Sequence, residues 1–223
     1  MKSKEFIIEG DIIGKERIRN WAKVIKRDCQ PYLKSHNIHN HMLRGLGREM
    51  VPFVEKEVRL ENRNPLDTSK YLHKSLNDLF TEKYGAPYRN ALFVSGAYNL
   101  VKDYGRTYKI FPIGEFNYLW GGSDDLYNEY QNFDIDKDKW NEYILANPLD
   151  KNDTTDLMHR RRIKFKADAF LEYVDELNYR TTDLAGAIES GYEIMIRCKS
   201  YYAISDYLPD HVNNYLMELL NEK

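Results

Sequence analysis

The run "DLAGAIESGYEIMIRCKSYYAIS", residues 183–205, places the tightest constraint on how this chain folds. Thr182 or Asp183 can cap a short helix and Gly191 can end it. The chain then passes directly into two apolar runs, YEIMIR and SYYAIS, parted by only Cys198 and Lys199. Runs this short, bounded by turn residues and rich in Ile and Tyr, read as strands, and the brief link predicts a β-hairpin. Upstream, helices and strands are interspersed without regular βαβ spacing. An α+β fold with a mixed, mostly antiparallel sheet and flanking helices is therefore expected rather than a doubly wound one. No Gly-x-Gly-x-x-Gly or Walker run argues otherwise.

From Lys15 to Lys34, Ile18, Trp21, Ala22, Ile25, Cys29 and Leu33 recur at helical steps and predict one helix with a buried face. "HNIHNHMLRGLGR", residues 36–48, reads as a loop or short strand around Met42 and Leu43. Asp67 can cap a helix whose stripe is Leu72, Leu76, Leu79 and Phe80, ended by Gly85. "PYRNALFVSG" predicts a strand ending at Ser95 and Gly96, and "AYNLVKDYG" a short helix stopped by Gly105. "TYKIFPIG" and "EFNYLW" predict two more strands. Helical stretches near Trp140–Ala146 and Asp156–Leu177 suggest a helical insertion at about 121–180, and a last helix is expected from about Asp206 to Leu220. At 223 residues the chain can bury its own core, so one elaborated domain over 1–223 is expected.

A formal charge of -2 removes the global basic field of a dedicated nucleic-acid binder. The one strong cationic run, residues 159–166, reads as an exposed helix face or as a contact for phosphate or an acidic partner. The two cysteines, Cys29 and Cys198, lack CxxC spacing and suggest neither a disulfide framework nor a cysteine metal site. No apolar stretch approaches the length of about eighteen residues needed to span a membrane, and the first residues form no secretory apolar region. A soluble protein of the cytoplasm is the expectation.

Four features bear on chemistry. His36, His39 and His41 form an H-x-x-H-x-H cluster that, with a carboxylate such as Glu49, could serve a metal-dependent hydrolase, although loop histidines are more often solvated. Arg44-Gly45 follows an apolar pair, where a guanidinium can point into a cleft and glycine lets a ligand approach the backbone. Ser95 ends a strand and Tyr104 sits before Gly105, either as ribose and ring contacts or as a helix cap and a core residue. Glu193 opens a buried strand. Strand alternation puts it on a face with Met195, where an unpaired charge is disfavoured by several kcal/mol, so it is a rim residue, a partner of Arg197, or a working carboxylate.

Taken in order, Arg44-Gly45, Ser95 with the aromatic helix behind it, and Glu193 resemble the three motifs of the arginine-serine-glutamate class of ADP-ribosyltransferases. Phage-encoded members are the nearest likeness, on "LRG", "RNALFVSG", "DYG", "YKIFPIG" and "DLAGAIESGYEIMI". The resemblance spans roughly residues 40–120 and 180–205. It implies an ADP-ribosyltransferase-like fold and NAD as substrate. Arg44 would contact its phosphate or ribose with Gly45 beside it, Arg89 its pyrophosphate, Ser95 the nicotinamide ribose, Phe93 or Tyr104 a wall of the nicotinamide pocket, and Glu193 would be catalytic. It further implies transfer of ADP-ribose to a bacterial host macromolecule during phage infection, a protein being favoured over nucleic acid, in the host cytoplasm or packaged in the virion. Gly191 stands where many arginine-modifying members carry Glu or Gln, with Glu189 two residues further back, which leaves the acceptor open. A non-enzymatic interaction or virion-associated protein on the same fold is the alternative.

Overall fold

The computed structural model describes residues 14–35, 40–47, 50–61, 63–65, 68–123, 125–148 and 155–222. It is α+β, with two antiparallel sheets. The first sheet runs β1 (Leu43–Leu46), β4 (Arg106–Pro112), β7 (Ser200–Ser205), β2 (Phe53–Glu57). The second runs β3 (Leu92–Val94), β6 (Ile194–Arg197), β5 (Asn117–Trp120).

The expected hairpin does not form. β6 is central in the second sheet, between β3 and β5, and β7 is central in the first, between β4 and β2. With both edges of each strand already paired, the two cannot pair with each other. Cys198 and Lys199 instead carry the chain from one sheet to the other. Ile194 and Ile196 of β6 join a core shared with helices α1 (Lys15–Asp28), α8 (Leu184–Ser190) and α9 (Asp210–Asn221), while Met195 faces a second core. Burial on both faces explains why this strand reads as an unbroken apolar run.

The second core joins Leu72, Leu76 and Phe80 of α3 (Lys70–Tyr84) to Ala167, Phe170 and Val174 of α7 (Thr155–Glu176). The region expected as helical carries α5 (Leu126–Asn132), α6 (Lys137–Ala146) and α7. The chain leaves the sheet at Trp120 and returns at Arg180, and these two exchange backbone hydrogen bonds of 3.0 and 2.8 Å.

Other boundaries moved for local reasons. The first helix breaks at Cys29 into α1 and α2 (Gln30–Ser35), since Pro31 has no N–H for the Arg27 carbonyl and its ring crowds that turn. Ser69 caps α3, accepting from Leu72 N–H, and Asp67 lies outside the described residues. The last helix starts at Asp210 because Pro209 precedes its first turn. β2, which carried no expectation, is an edge strand bearing Glu55, Lys56 and Glu57, and it docks through Phe53, stacked on Trp21 at 5.3 Å and on Tyr202 at 5.1 Å.

Between Ser95 and α4 (Tyr98–Val101), Gly96 meets the end of α8. A Cβ at Gly96 would lie 1.8 Å from the Ile188 carbonyl oxygen. Gly96→Ala is therefore expected to lose about 3 kcal/mol of stability, read as a lowered urea midpoint, because backbone rather than a flexible side chain must yield.

Candidate functional site

The two sheets touch where Leu43 and Ser95 exchange backbone hydrogen bonds of 2.7 and 3.0 Å. Beyond that bridge β1 leaves β3, and a cavity of about 580 Å³ opens at the divergence. All seven residues expected at a site, Arg44, Gly45, Arg89, Phe93, Ser95, Tyr104 and Glu193, line it.

Glu193 follows the left-handed Gly191 that ends α8 and immediately precedes β6. Its side chain is 16% exposed, and Oε1 accepts a 2.8 Å hydrogen bond from Arg89 Nη1. The same nitrogen contacts Met195 Sδ at 3.9 Å, so Glu193 and Met195 share a face. Arg197 donates to the Pro87 carbonyl and is not the partner of Glu193. Arg89 reaches Glu193 from a 3-10 turn, Tyr88–Asn90, whose Arg89 N–H is held by Asn77 Oδ1 at 2.9 Å. Oε2 of Glu193 takes no hydrogen bond among the described residues. Burial pushes the carboxyl above its ordinary range, the attraction and hydrogen bond of Arg89 offset part of that rise, and Asp125 adds to it.

Arg44 lies within β1 rather than at its end, and donates from Nη1 to the Phe93 carbonyl at 2.6 Å. Burial lowers its pKa. The space expected for a ligand at Gly45 is taken by the chain itself: a Cβ there would lie 2.4 Å from the Val101 carbonyl oxygen and 2.8 Å from Tyr104. Gly45 thus seats the segment that presents Tyr104. The Tyr104 ring is exposed, and its hydroxyl donates to Asp125 Oδ2 at 3.0 Å, while Oδ1 of the same carboxylate caps α5.

Ser95 is buried. Its hydroxyl donates to the Gly191 carbonyl at 2.6 Å and accepts from Ala97 N–H at 3.0 Å, so it both caps the following turn and ties down the loop that carries Glu193. Phe93 does not offer a bare face. The Arg89 and Arg63 guanidiniums lie 4.5 and 4.6 Å from its ring centroid.

Arg59, Arg63, His73 and Asp125 also line the cavity, and sequence reasoning missed them. The available signal was "RLENRNP", a turn-forming stretch with two arginines that follows no recognisable motif. Arg63 donates to the Ala91 carbonyl. Burial, then repulsion from Arg44 and Arg89, push its pKa down to about 10. His73 Nε2 lies 3.0 Å from Asn90 Oδ1, and burial lowers its pKa, so the ring is neutral at neutral pH. Four arginines thus face two carboxylates around one cavity, an excess of positive charge suited to a phosphate-bearing ligand.

Of the histidine cluster, His36, His39 and Glu49 lie outside the described residues. The His41 ring sits 5.8 Å from Phe111. Among the described residues no group of three potential ligands could hold a metal ion. The cationic run on α7 is largely engaged locally: Arg160 pairs with Asp156, Lys164 with Asp168, Arg161 donates to the Asn147 carbonyl, and Lys166 lies over Tyr130. No helix among the described residues is long and apolar enough to cross a membrane.

Comparison with protein-family models, curated proteins and solved structures finds no match to this chain.

Proposed function

We propose that this cavity binds NAD and that the protein, with an ADP-ribosyltransferase-like fold, transfers the ADP-ribose unit to a host macromolecule. The observation that carries the reading is the convergence of Glu193, Arg44, Ser95 and Tyr104 from four separate segments on one arginine-rich cavity. NAD supplies a glycosidic bond to an already cationic nicotinamide, which leaves with the bonding electron pair as the acceptor bonds to the ribose carbon and gives up a proton. Arg44, with a buried Nε that has no partner among the described residues, would hold a phosphate. Glu193, anchored through Oε1 by Arg89, would accept from a ribose hydroxyl with Oε2 and stabilise positive charge developing on the ribose, as carboxylates do in glycoside chemistry. Ser95 would position Glu193 through Gly191 rather than touch the ribose.

The proposed setting is phage infection of a bacterium, with a protein acceptor favoured. Incubation with labelled NAD and a bacterial lysate is expected to release nicotinamide and label an acceptor. Protease and nuclease treatment of the product separates the acceptor classes. If neither free nicotinamide nor a labelled product forms with any host extract, the reading fails. Because Glu193 must be ionised, kcat/KM is expected to rise with pH through a pKa above the usual glutamate range. A profile flat across that range would contradict the role.

A second reading is a protein that binds the ligand without turnover. It is favoured by the engagement of Glu193 Oε1 with Arg89 and of the Ser95 hydroxyl with Gly191. It predicts NAD binding with no nicotinamide release.

A further inference from the structure

The open edge of β3 carries guanidiniums where a sheet would carry a strand. Ser95 turns its N–H and C=O to Leu43, and alternation along the strand turns the Phe93 and Ala91 carbonyls to the same side. As β1 departs, Arg44 takes the Phe93 carbonyl and Arg63 takes the Ala91 carbonyl. These anchors are two residues apart, roughly 7 Å at the usual strand rise. The two guanidiniums thus stand on separate carbonyls and offer their remaining donors from separate points of the β3 edge. Each guanidinium has five N–H donors and spends one on its carbonyl in the bonds described. Arg63 is partly desolvated beside Arg44 and Arg89, an arrangement that a further anion would relieve.

We propose that Arg63 forms a second phosphate subsite, separate from the pyrophosphate position at Arg44, so that the cavity favours a ligand bearing a phosphate monoester. The position of the pyrophosphate rests on the NAD reading; the subsite itself rests on the β3 edge. The exposed Arg59, on the same cavity wall, adds charge at its mouth. A monoester can come from a 2′-phosphate on the dinucleotide or from a phosphorylated end of a nucleic-acid acceptor.

Calorimetric titration of the full chain with NAD, NADP and a short oligonucleotide with and without a 5′-phosphate separates these sources. In at least one pair the phosphorylated member is expected to bind about tenfold tighter or more, as for a charge-assisted hydrogen bond. Arg63→Gln is expected to remove that advantage, so that the phosphorylated and unphosphorylated members of the pair bind alike. A preference for NADP identifies the dinucleotide as the source, and a preference for the phosphorylated oligonucleotide identifies the acceptor. Equal binding within both pairs overturns the subsite. Arg63→Lys, which keeps charge but not the planar fork, guards against misfolding of the glutamine variant. It should retain the thermal midpoint and lose part of the preference, and an unchanged preference in both variants also overturns the proposal. If NAD does not bind at all, yet the phosphorylated oligonucleotide binds through Arg63, the NAD reading fails and the subsite stands.

Discussion

Glu193→Gln is expected to lower nicotinamide release by about a hundred- to a thousandfold while NAD affinity changes by less than about tenfold. The amide is nearly isosteric and can still accept the Arg89 hydrogen bond, so the cavity keeps its shape. What is lost is the negative charge that opposes positive charge on the ribose, and that charge exists only as the bond breaks. The effect should therefore fall on kcat rather than on binding. Single-turnover release of nicotinamide, with calorimetry on the same preparations, makes the separation. Equal activity in the glutamine variant would sink the proposed mechanism, and equal loss of binding would reassign Glu193 to ligand affinity alone.

The second large effect concerns stability. Arg89 and Glu193 are 9% and 16% exposed in their side chains, so the pair is mostly withdrawn from water. Arg89→Met keeps an unbranched apolar stem, removes the guanidinium from Phe93 and strands the carboxylate, and a loss of about 3 kcal/mol is expected at neutral and higher pH. The pH dependence has a definite sign. The folded-state pKa of Glu193 already lies above its unfolded value, and without Arg89 it rises further, since attraction from Arg89 was holding it down. A carboxyl of this kind binds its proton more readily in the native state, so its own contribution to stability is most favourable in acid and falls as pH rises through the folded pKa. The Arg89→Met deficit should accordingly shrink on acidification. Adding Glu193→Gln to Arg89→Met should recover a large part of the loss, giving a coupling of about 1–3 kcal/mol in urea denaturation. Additive effects of the two substitutions would show that the ion pair does not hold this corner together.

Most of the elements on which this site stands were legible because they follow local rules. Gly85, Gly105 and Gly191 each end a helical turn with positive φ, and the apolar spacing of α1, α3 and α7 follows from one buried face. The face shared by Glu193 and Met195 was readable from alternation alone. Ser95 illustrates a residue with two readings, helix cap and ligand contact; its hydroxyl joins the Gly191 carbonyl to the Ala97 N–H, and α4 starts from Ala97 with no side-chain cap. The arginines Arg59 and Arg63 were invisible because nothing in their own neighbourhood marks them. The meaning of Arg63 lies in the Ala91 carbonyl and Phe93 ring, some thirty residues away along the chain, and that of Arg59 in the cavity the two share.

By itself the sequence determined the type and order of most helices and strands, many of the residues that face the cores, and that a charge opens a buried strand. Those outcomes depend on side-chain period, capping groups and backbone freedom within a few residues. Only the tertiary structure decided that YEIMIR and SYYAIS lie in different sheets, that the partner of Glu193 is Arg89 rather than Arg197, and that Gly45 receives the Tyr104 segment rather than open space. Strand pairing and ion pairing at long range depend on which edges and charges are left unsatisfied once all the elements pack. No local pattern encodes that competition.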